Sequence, residues 1–295
     1  MKNVFSSQLI KLRRQRNFSQ GALANKMFVS RQSISKWENG ESEPSIDKLI
    51  DLSDVFNVDL NYLLIGKNKI SKEIILKISS LYKAFNKPVL KDINLDIHGN
   101  ERIALLGNNG TGKSTLFRTL IGIEKPDKGK ISYGFNKNKD LNVMPQKDNL
   151  ISGLKVKEHI NLSAAINKNY SKELTNNLIN KFNLVDNKND YVSRLSGGQK
   201  RKLSLLISVI RPSKLLLLDE PTVGMDLDTI DFFWRYIDHT GGAVITITHD
   251  FNQIDKFFSR VILMKNGKIA QDASVDTIHS HNQTIEQWYR IMNKE

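Results

Sequence analysis

Apolar residues in the first part of the chain recur at three- and four-residue intervals, the spacing of amphipathic helices. The repeating positions are Leu9, Ile10 and Leu12, then Leu23, Ala24 and Met27, then Ile34 and Trp37, then Ile46, Leu49, Ile50, Leu52 and Val55. Residues suited to helix ends flank these groups, with Ser19, Ser30 and Ser45 before three of them and Gly40 after the third. A serine oxygen accepts hydrogen bonds from the free N–H groups of a first turn. With a short fifth helix at 60–64 ending at Gly66, the pattern predicts an all-α five-helix domain over residues 1–66.

Farther along, short apolar runs that end in polar residues replace the helical spacing. Such runs occupy 102–106, 214–218 and 243–247, and an earlier strand is expected at 73–78. This is the pattern of buried parallel strands with ligand-binding residues at their carboxyl ends. Helices are expected from 154–160 onward, at 172–182 and at 201–210. Strands alternating with helices predict a second domain of the α/β class.

The change of pattern gives four predicted segments. They are the helical domain at 1–66, a linker at 67–73, an α/β domain at 74–272 with a helical subdomain at about 147–200, and a helical extension at 273–295. A chain of 295 residues suits one domain of ordinary size and a smaller one.

Composition and charge narrow the classes of protein. The chain has no cysteine, which excludes disulfides and thiolate metal sites and fits a reducing cytosol. It has no apolar run long enough to cross a membrane and no secretory signal at its start. The formal net charge of +13 favours an anionic partner, either nucleic acid or an acidic membrane surface. This charge is polarised, because the first 37 residues contain no Asp or Glu. One end of the helical domain is therefore expected to face phosphate.

The segment Ser30-Arg-Gln-Ser-Ile-Ser-Lys-Trp-Glu-Asn-Gly40 resembles the phage-repressor or Xre-like helix-turn-helix family, and the resemblance covers residues 6–66. That family docks its third helix in the DNA major groove. By this resemblance Ile34 and Trp37 face the core, and Arg13 and Glu38 form an internal ion pair.

The same resemblance implies a set of DNA contacts on the outer face of the third helix and beside it. The candidate residues are Gln20, Arg31, Gln32, Ser35, Lys36 and Asn39. Arg31 and Gln32 are the expected base readers, since arginine pairs with guanine and glutamine with adenine through two hydrogen bonds. Gln20 and Asn39 are expected to hold phosphates. Lys36 reaches either a base or a phosphate, or is simply a solvated surface charge.

A glycine-rich loop follows the run at 102–106 and matches G-x-x-x-x-G-K-[ST]. Its residues are Gly107, Asn108, Asn109, Gly110, Thr111, Gly112, Lys113 and Ser114, followed by Thr115. The glycines let backbone N–H groups surround phosphate oxygens, Lys113 adds positive charge, and Ser114 is a ligand for Mg²⁺. After the leucine run, Asp219 is expected to bind Mg²⁺ and Glu220 to act as the general base for the attacking water. The sequence therefore predicts an α/β P-loop ATPase that uses ATP and Mg²⁺.

The segment Leu195-Ser-Gly-Gly-Gln199 resembles the signature sequence of ATP-binding cassette (ABC) proteins, and that resemblance covers 74–272. It implies that Gln146 senses Mg²⁺ and the γ-phosphate, that Asp226 belongs to the D-loop, and that His249 is the switch histidine. It also implies that the signature residues act on the ATP of a partner copy, so that the active form is a homodimer. These residues are Ser196, Gly197, Gly198 and Gln199.

Two questions stay open at the level of sequence. The aromatic residue that stacks on adenine is either Phe85 or Tyr82, and its distance before the following strands favours Phe85. The segment at 147–194 resembles the part of bacterial exporter ATPases that contacts a membrane subunit. The leading hypothesis is therefore a cytoplasmic exporter subunit, peripheral at the inner face of the membrane, whose helix-turn-helix regulates its own operon.

Two other hypotheses remain. In one, the chain is a soluble transcription regulator switched by ATP, with no permease. In the other, the helical domain has lost DNA recognition and serves as a docking module. Under the leading hypothesis the partners are an integral membrane permease, a second copy of the chain, and palindromic operator half-sites about 34 Å apart or a multiple of that distance.

Overall fold

A computed structural model describes residues 4–56, 58, 60–65, 73–166, 172–240 and 242–294. The chain divides into two compact units, Met1–Ile70 and Ser71–Glu295. Gly66 and all of the predicted linker except residue 73 lie outside the described residues.

The first unit is helical, as its apolar spacing predicts. Its helices are α1 (Val4–Gln15), α2 (Gln20–Met27), α3 (Arg31–Asn39), α4 (Ile46–Phe56) and α5 (Leu60–Ile65). The expected caps are present, because the Ser19 hydroxyl accepts from the Ala22 N–H and the Ser30 hydroxyl from the Ser33 N–H. Gly40 ends α3 in the left-handed conformation. One apolar core joins the helices, and its most buried members include Leu9, Leu12, Leu23, Met27, Ile34, Leu52, Phe56 and Leu63.

A buried ion pair ties three of these helices together. The Arg13 guanidinium donates to both carboxylate oxygens of Glu38, at 2.5 and 3.0 Å, and the Gln20 amide donates to the same carboxylate at 2.9 Å. Burial alone would raise the pKa of Glu38, but the hydrogen bonds from Arg13 and Gln20 hold it below its ordinary value. The predicted internal ion pair is therefore confirmed and joins α1 to α3.

The second unit contains two sheets. Its described strands are β1 (Ile74–Ala84), β2 (Pro88–His98), β3 (Arg102–Leu106), β4 (Lys128–Tyr133), β5 (Leu141–Met144), β6 (Leu215–Asp219), β7 (Ala243–Ile247), β8 (Arg260–Lys265) and β9 (Lys268–Ser274). An antiparallel sheet has the order β2-β1-β4, and a larger sheet has the order β5-β6-β7-β3-β8-β9. All neighbours in the larger sheet are parallel except β8 and β9. The carboxyl ends of β3, β6 and β7 therefore meet at one edge.

The helices of this unit cover the larger sheet. They are α6 (Lys113–Ile121), α7 (Lys137–Asp140), α8 (Val156–Ile166), α9 (Lys172–Lys181), α10 (Gly197–Val209), α11 (Leu227–Thr240), α12 (Phe251–Phe257), α13 (Val275–Ser280) and α14 (Ile285–Lys294). On one side the larger sheet shares a core with α6 and the antiparallel sheet. Apolar residues of its other face belong to a second core, which also contains residues of α8 to α14. Within the described part of the chain, no helix is long and apolar enough to cross a membrane.

Two elements differ from their predicted bounds by more than two residues, and the C-terminal extension differs in its content. The strand expected at 73–78 continues to Ala84, because it pairs on both edges, with β2 and with β4. The helix expected at 201–210 begins earlier, at Gly197, because Ser196 caps it. The extension at 273–295 contains two helices, α13 and α14, each with its own capping residue.

Replacing Arg13 with Met tests the buried ion pair. The change leaves the Glu38 carboxylate buried without its cation, so we expect the first unit to lose about 3 kcal/mol of unfolding free energy at neutral pH. Because the folded pKa of Glu38 lies below 4.5, the wild-type pair stabilises the fold above that pH and loses this effect as the pH falls through the folded pKa. The variant should lack this acid-dependent step. Hydrogen exchange of α1 to α5 in the full-length protein measures both effects.

The matched control is Asp51→Asn, which breaks the exposed pair between Lys48 and Asp51. It should cost less than about 1 kcal/mol. Equal losses in the two variants would contradict a special role for the buried pair.

Candidate nucleotide-binding and DNA-binding sites

The loop between β3 and α6 has a shape that only glycine permits. Gly107, Gly110 and Gly112 all have positive φ, at +143°, +82° and +102°. A Cβ at Gly107 would lie 2.4 Å from the carbonyl oxygen of Met264. Gly112 begins α6 without any side-chain cap, so the first N–H groups of the helix remain available to an anion. The cradle fits the phosphate chain of a nucleotide.

Lys113 lies inside this cradle. Its ammonium donates to the carbonyl oxygens of Gly107, at 2.6 Å, and Asn108, at 3.0 Å. Burial lowers the pKa of Lys113, and the negative charges of Glu220 and Asp219 oppose this effect. The side chain of Ser114 is exposed and Thr115 is half-buried. Asn109 and Gly110 are exposed, and the Thr111 hydroxyl donates to the Asn108 carbonyl at 2.9 Å.

The predicted acidic pair stands at the carboxyl end of β6. Asp219 is buried, and burial raises its pKa. Glu220 has a φ of +51°, and its N–H donates to the Ile247 carbonyl at 2.9 Å. Burial and the charge of Asp219 raise the pKa of Glu220. Two carboxyl groups whose charged forms are disfavoured by burial therefore lie at this edge of the sheet, and a bound cation would favour those charged forms.

His249 follows β7 and stands beside the acidic pair. Its Nε2 lies 3.7 Å from a carboxylate oxygen of Glu220. Burial and the charge of Lys113 lower the pKa of His249, so the neutral imidazole prevails at neutral pH. The general base and the switch histidine of the sequence analysis are therefore neighbours.

The buried guanidinium of Arg201, on α10, was not among the predicted site residues. One nitrogen donates to the carbonyls of Pro145 and Gln146 and to the Asp148 carboxylate, each at 3.0 Å. The other donates to the carbonyls of Asp219 and Glu220. The sequence could have indicated this role, because an arginine in an otherwise buried helix needs several hydrogen-bond acceptors. Arg201 therefore connects the segment that contains Gln146 to the acidic pair. The side chain of Gln146 itself is exposed.

The signature residues form the start of α10. The hydroxyl of Ser196 accepts from the Gln199 N–H, and the Gln199 side chain accepts from the Ser196 N–H, so the two make a capping box. Gly197 is exposed, and a Cβ at Gly198 would lie 2.7 Å from the Gly224 carbonyl oxygen. The signature therefore packs closely on the segment that leads to Asp226.

Asp226 makes its contacts within the same chain. Its carboxylate lies 2.5 Å from the ammonium of Lys202 and accepts from the Thr229 N–H at 2.8 Å. The hydrogen bond from Lys202 holds the pKa of Asp226 well below its ordinary value. Lys202 also escaped the sequence analysis, and it links the D-loop segment to α10.

Both candidates for adenine stacking are exposed. Phe85 is 57% exposed, and the Lys83 ammonium lies 5.3 Å from its ring centroid. Tyr82 is 37% exposed. Phe85 is the more exposed of the two, and its choice as the adenine-stacking residue stays a prediction.

The predicted DNA contacts of the first unit fall into two groups. Arg31, Gln32 and Lys36 are exposed on α3 and Ser35 is half-buried there, while Ile34 and Trp37 are buried as expected. Gln20 and Asn39 instead donate to carboxylates of this unit, Gln20 to Glu38 and Asn39 to Glu41 at 3.1 Å. Each of these two amides has one further N–H for a phosphate.

No cluster of three His, Cys, Asp or Glu residues that could hold a metal occurs among the residues with described positions. The candidate metal ligands near the cradle are the Ser114 hydroxyl, the Gln146 amide oxygen and the acidic pair, Asp219 and Glu220. Mg²⁺ suits this set, because it is usually bound by one or two carboxylates together with phosphate oxygens and water.

Comparisons with known proteins agree with this geometry. Residues 90–223 match the family model described as ABC transporter, and residues 9–63 match the one described as Helix-turn-helix. The aliphatic sulfonates import ATP-binding protein SsuB 3 of Pseudomonas syringae pv. tomato is 34% identical over 210 residues, covering 68% of this chain and 77% of that protein. The chain therefore belongs to the ABC transporter family of ATP-binding proteins, and it carries an Xre-type helix-turn-helix domain. It is an ATPase.

Other relatives are longer than the matched region. The sulfate/thiosulfate import ATP-binding protein CysA 1 of Agrobacterium fabrum is 32% identical over 228 residues, covering 69% of this chain and 64% of that protein. The cholesterol transporter ABCA5 of Rattus norvegicus is 33% identical over 236 residues, covering 72% of this chain but only 14% of the transporter.

Solved structures share the fold. An ATP-binding subunit of an ABC transporter superposes with a TM-score of 0.68 at 22% identity, covering 74% of this chain and 99% of that one. The dimeric ATP-binding cassette MJ0796, in a post-hydrolysis state bound to ADP and phosphate, has a TM-score of 0.60 at 21% identity, covering 68% of this chain and 98% of that one.

Replacing Arg201 with Lys tests the role of its guanidinium. Lysine keeps the charge but lacks the planar fork, so it cannot reach acceptors in both segments. We expect kcat for ATP hydrolysis to fall by about 10²-fold, since displacements of about 1 Å at a reacting centre have effects of this size. Phosphate release by the purified full-length protein measures it.

Arg235→Met is the control, because Arg235 pairs with Asp231 one turn away on α11. It should leave kcat within about twofold, as expected for a surface pair. An Arg201→Lys protein with normal melting temperature and normal kcat would exclude a positioning role.

Proposed function

We propose that this ATPase is the nucleotide-binding subunit of an ABC exporter and that its helix-turn-helix domain regulates transcription of its own operon. The observation that carries the hydrolytic part is the convergence of Lys113, Glu220 and His249 at one sheet edge, with the Glu220 carboxylate 3.7 Å from the imidazole. The transport and regulatory parts rest on the segment beside that edge and on the exposed face of α3.

The residues have distinct roles in the proposed reaction. Bound Mg²⁺-ATP supplies a γ-phosphate that water can attack in line. Lys113 and the N–H groups at the start of α6 hold the phosphate oxygens, and Ser114, Gln146 and Asp219 are the proposed ligands of Mg²⁺. Glu220 orients the water and accepts its proton, which its raised pKa favours. His249, as a neutral imidazole, donates a hydrogen bond from its N–H to the γ-phosphate.

We place the signature residues on the nucleotide of a second copy. Ser196 opens α10, whose start carries the partial positive charge of a helix N-terminus. Gly197 and Gly198 allow a phosphate chain to approach the backbone there. A symmetric homodimer would then complete two equivalent sites.

The proposed direction of transport is export. The names of the relatives include importers and a cholesterol transporter, so the direction rests on the resemblance of the segment at 147–194 to exporter ATPases. In this chain the segment contains α8 and α9, and Leu162 and Ile166 on α8 are exposed. Exposed apolar residues in the segment that follows Gln146 form a suitable surface for a membrane subunit. The chain would then be cytoplasmic and peripheral at the inner face of the membrane.

The regulatory part rests on the three exposed residues among the predicted DNA contacts of α3. Arg31, Gln32 and Lys36 offer donors to base edges or phosphates, and the apolar residues of the same helix are buried. A two-fold dimer would read palindromic half-sites.

Copurification with a Glu220→Gln protein tests the export function. Glutamine cannot accept the proton, so hydrolysis should fall by about 10³-fold while ATP stays bound and the dimer stays closed. We expect a stoichiometric integral membrane protein to copurify from detergent-solubilised native membranes. Glu124→Gln, a change of the same kind on the exposed pair with Arg118, is the control for the handling of the protein. Recovery of DNA alone, with no membrane protein, would favour the ATP-switched regulator instead.

Replacing Arg31 with Ala tests DNA reading. A site selected from random duplexes by the full-length wild-type protein should lose about 1–3 kcal/mol of binding, mainly at one guanine position. Arg14→Ala, which removes the same charge from α1, should weaken all sequences alike. Fluorescence anisotropy at two salt concentrations measures both. If no sequence is enriched, the helical domain is a docking module rather than a DNA reader.

A further inference from the structure

The last described helix, α14, is anchored at both ends. Thr284 and Gln287 form a capping box at its start, with hydrogen bonds of 3.0 and 3.2 Å between the side chain of each and the N–H of the other. At its end the Lys265 ammonium donates to the Met292 carbonyl at 2.6 Å. Ile285 and Trp288 are buried in the core of the unit. The position of α14 is therefore fixed by its packing and its caps.

Two side chains of α14 reach the glycine-rich loop. The Tyr289 hydroxyl donates to the side-chain oxygen of Asn108 at 3.1 Å, and the Asn293 amide donates to the same oxygen at 3.2 Å. Tyr289 and Asn293 lie 181 and 185 positions after Asn108 in the chain. Asn108 is otherwise an exposed residue.

Asn108 is also the residue whose backbone holds the catalytic lysine. Its carbonyl oxygen accepts from the Lys113 ammonium at 3.0 Å and from the Thr111 hydroxyl at 2.9 Å. Hydrogen bonds therefore hold both the side chain and the main chain of Asn108. Releasing the side chain would let one of the two acceptors of Lys113 shift.

The ring of Tyr289 makes a separate contact. Its centroid lies 5.2 Å from that of Phe251, at an interplanar angle of 44°. Phe251 begins α12, two positions after His249, and Asp250 caps this helix. Tyr289 therefore touches the glycine-rich loop through its hydroxyl and the segment of His249 through its ring.

We propose that Tyr289 is a positioning residue that holds the glycine-rich loop ready for ATP and links it to the switch-histidine segment. The proposal rests on the assignment of Gly107 to Ser114 as the phosphate loop. The hydroxyl acts on ATP affinity, because ordering of the loop is then completed before the nucleotide arrives. The ring acts on the rate of hydrolysis, because it supports the segment that carries His249.

Two substitutions separate the hydroxyl from the ring. Tyr289→Phe removes one hydrogen bond and should raise the Kd for ATP about fivefold with kcat unchanged. Tyr289→Leu removes the ring as well and should lower kcat in addition. Equilibrium binding of a fluorescent ATP analogue and phosphate release, both on the full-length protein, measure the two quantities.

A double-mutant cycle identifies the route of the effect. In an Asn108→Ala background, Tyr289→Phe should no longer change the Kd, since its acceptor is gone. Arg290→Ala, which breaks the exposed pair with Glu286 on the same helix, should leave both quantities at the wild-type values.

Three results would overturn the proposal: a Tyr289→Phe protein with unchanged Kd, an equal loss in the Asn108→Ala background, or an equal loss in Arg290→Ala. A loss in all variants, with a lowered melting temperature, would mean that α14 only stabilises the unit. Absence of ATP hydrolysis by the wild-type protein would overturn the proposed function. The ATP-binding measurement would still test the role of Tyr289.

Discussion

The arrangement of the nucleotide site depends on one buried cation, the guanidinium of Arg201. A guanidinium taken out of water loses several kcal/mol of hydration free energy unless its donors are satisfied. Here they are satisfied by four main-chain carbonyls and the Asp148 carboxylate. Carbonyl acceptors belong to the backbone, so the bonds fix the paths of two segments and not merely the positions of two side chains. Any movement of the Gln146 segment away from the acidic pair leaves part of a buried charge unsatisfied.

The charges around Arg201 explain why the site suits a nucleotide with a metal ion. Lys113 and Arg201 both lower the pKa values of Asp219 and Glu220, yet both values stay raised. Burial outweighs the two cations at Asp219, and burial together with the charge of Asp219 outweighs them at Glu220. Phosphates brought to the cradle would add further negative charge. A divalent cation held by the proposed ligands would supply the positive charge that offsets both the carboxylates and the phosphates. The proposed role of Mg²⁺ therefore follows from the electrostatics of the site as well as from the family.

Elements with a local physical signal could be predicted from the sequence. The serine caps of α2 and α3, the glycine at the end of α3 and the glycine-rich loop each depend on residues within one turn of each other. The contacts of Arg201 and Tyr289 could not be predicted in this way, because their partners lie far away in the chain. The start of α10 was also predicted too late, since a Gly-Gly pair is a weak helix former and only the capping box of Ser196 compensates. Long-range contacts and capping geometry account for most of what sequence reasoning missed.

If both proposals hold, ATP hydrolysis and DNA reading each require two-fold symmetry of this chain. A signature that acts on a partner's nucleotide requires a two-fold dimer, and palindromic half-sites require a two-fold dimer as well. Linkage then makes the two ligands reciprocal: any factor by which ATP changes operator affinity is the factor by which operator DNA changes ATP affinity. A DNA effect on ATP affinity need not involve the DNA-reading residues directly. It requires only that the closed and open dimers differ in how they present the two α3 helices, which gives a physical reason for keeping both functions on one polypeptide.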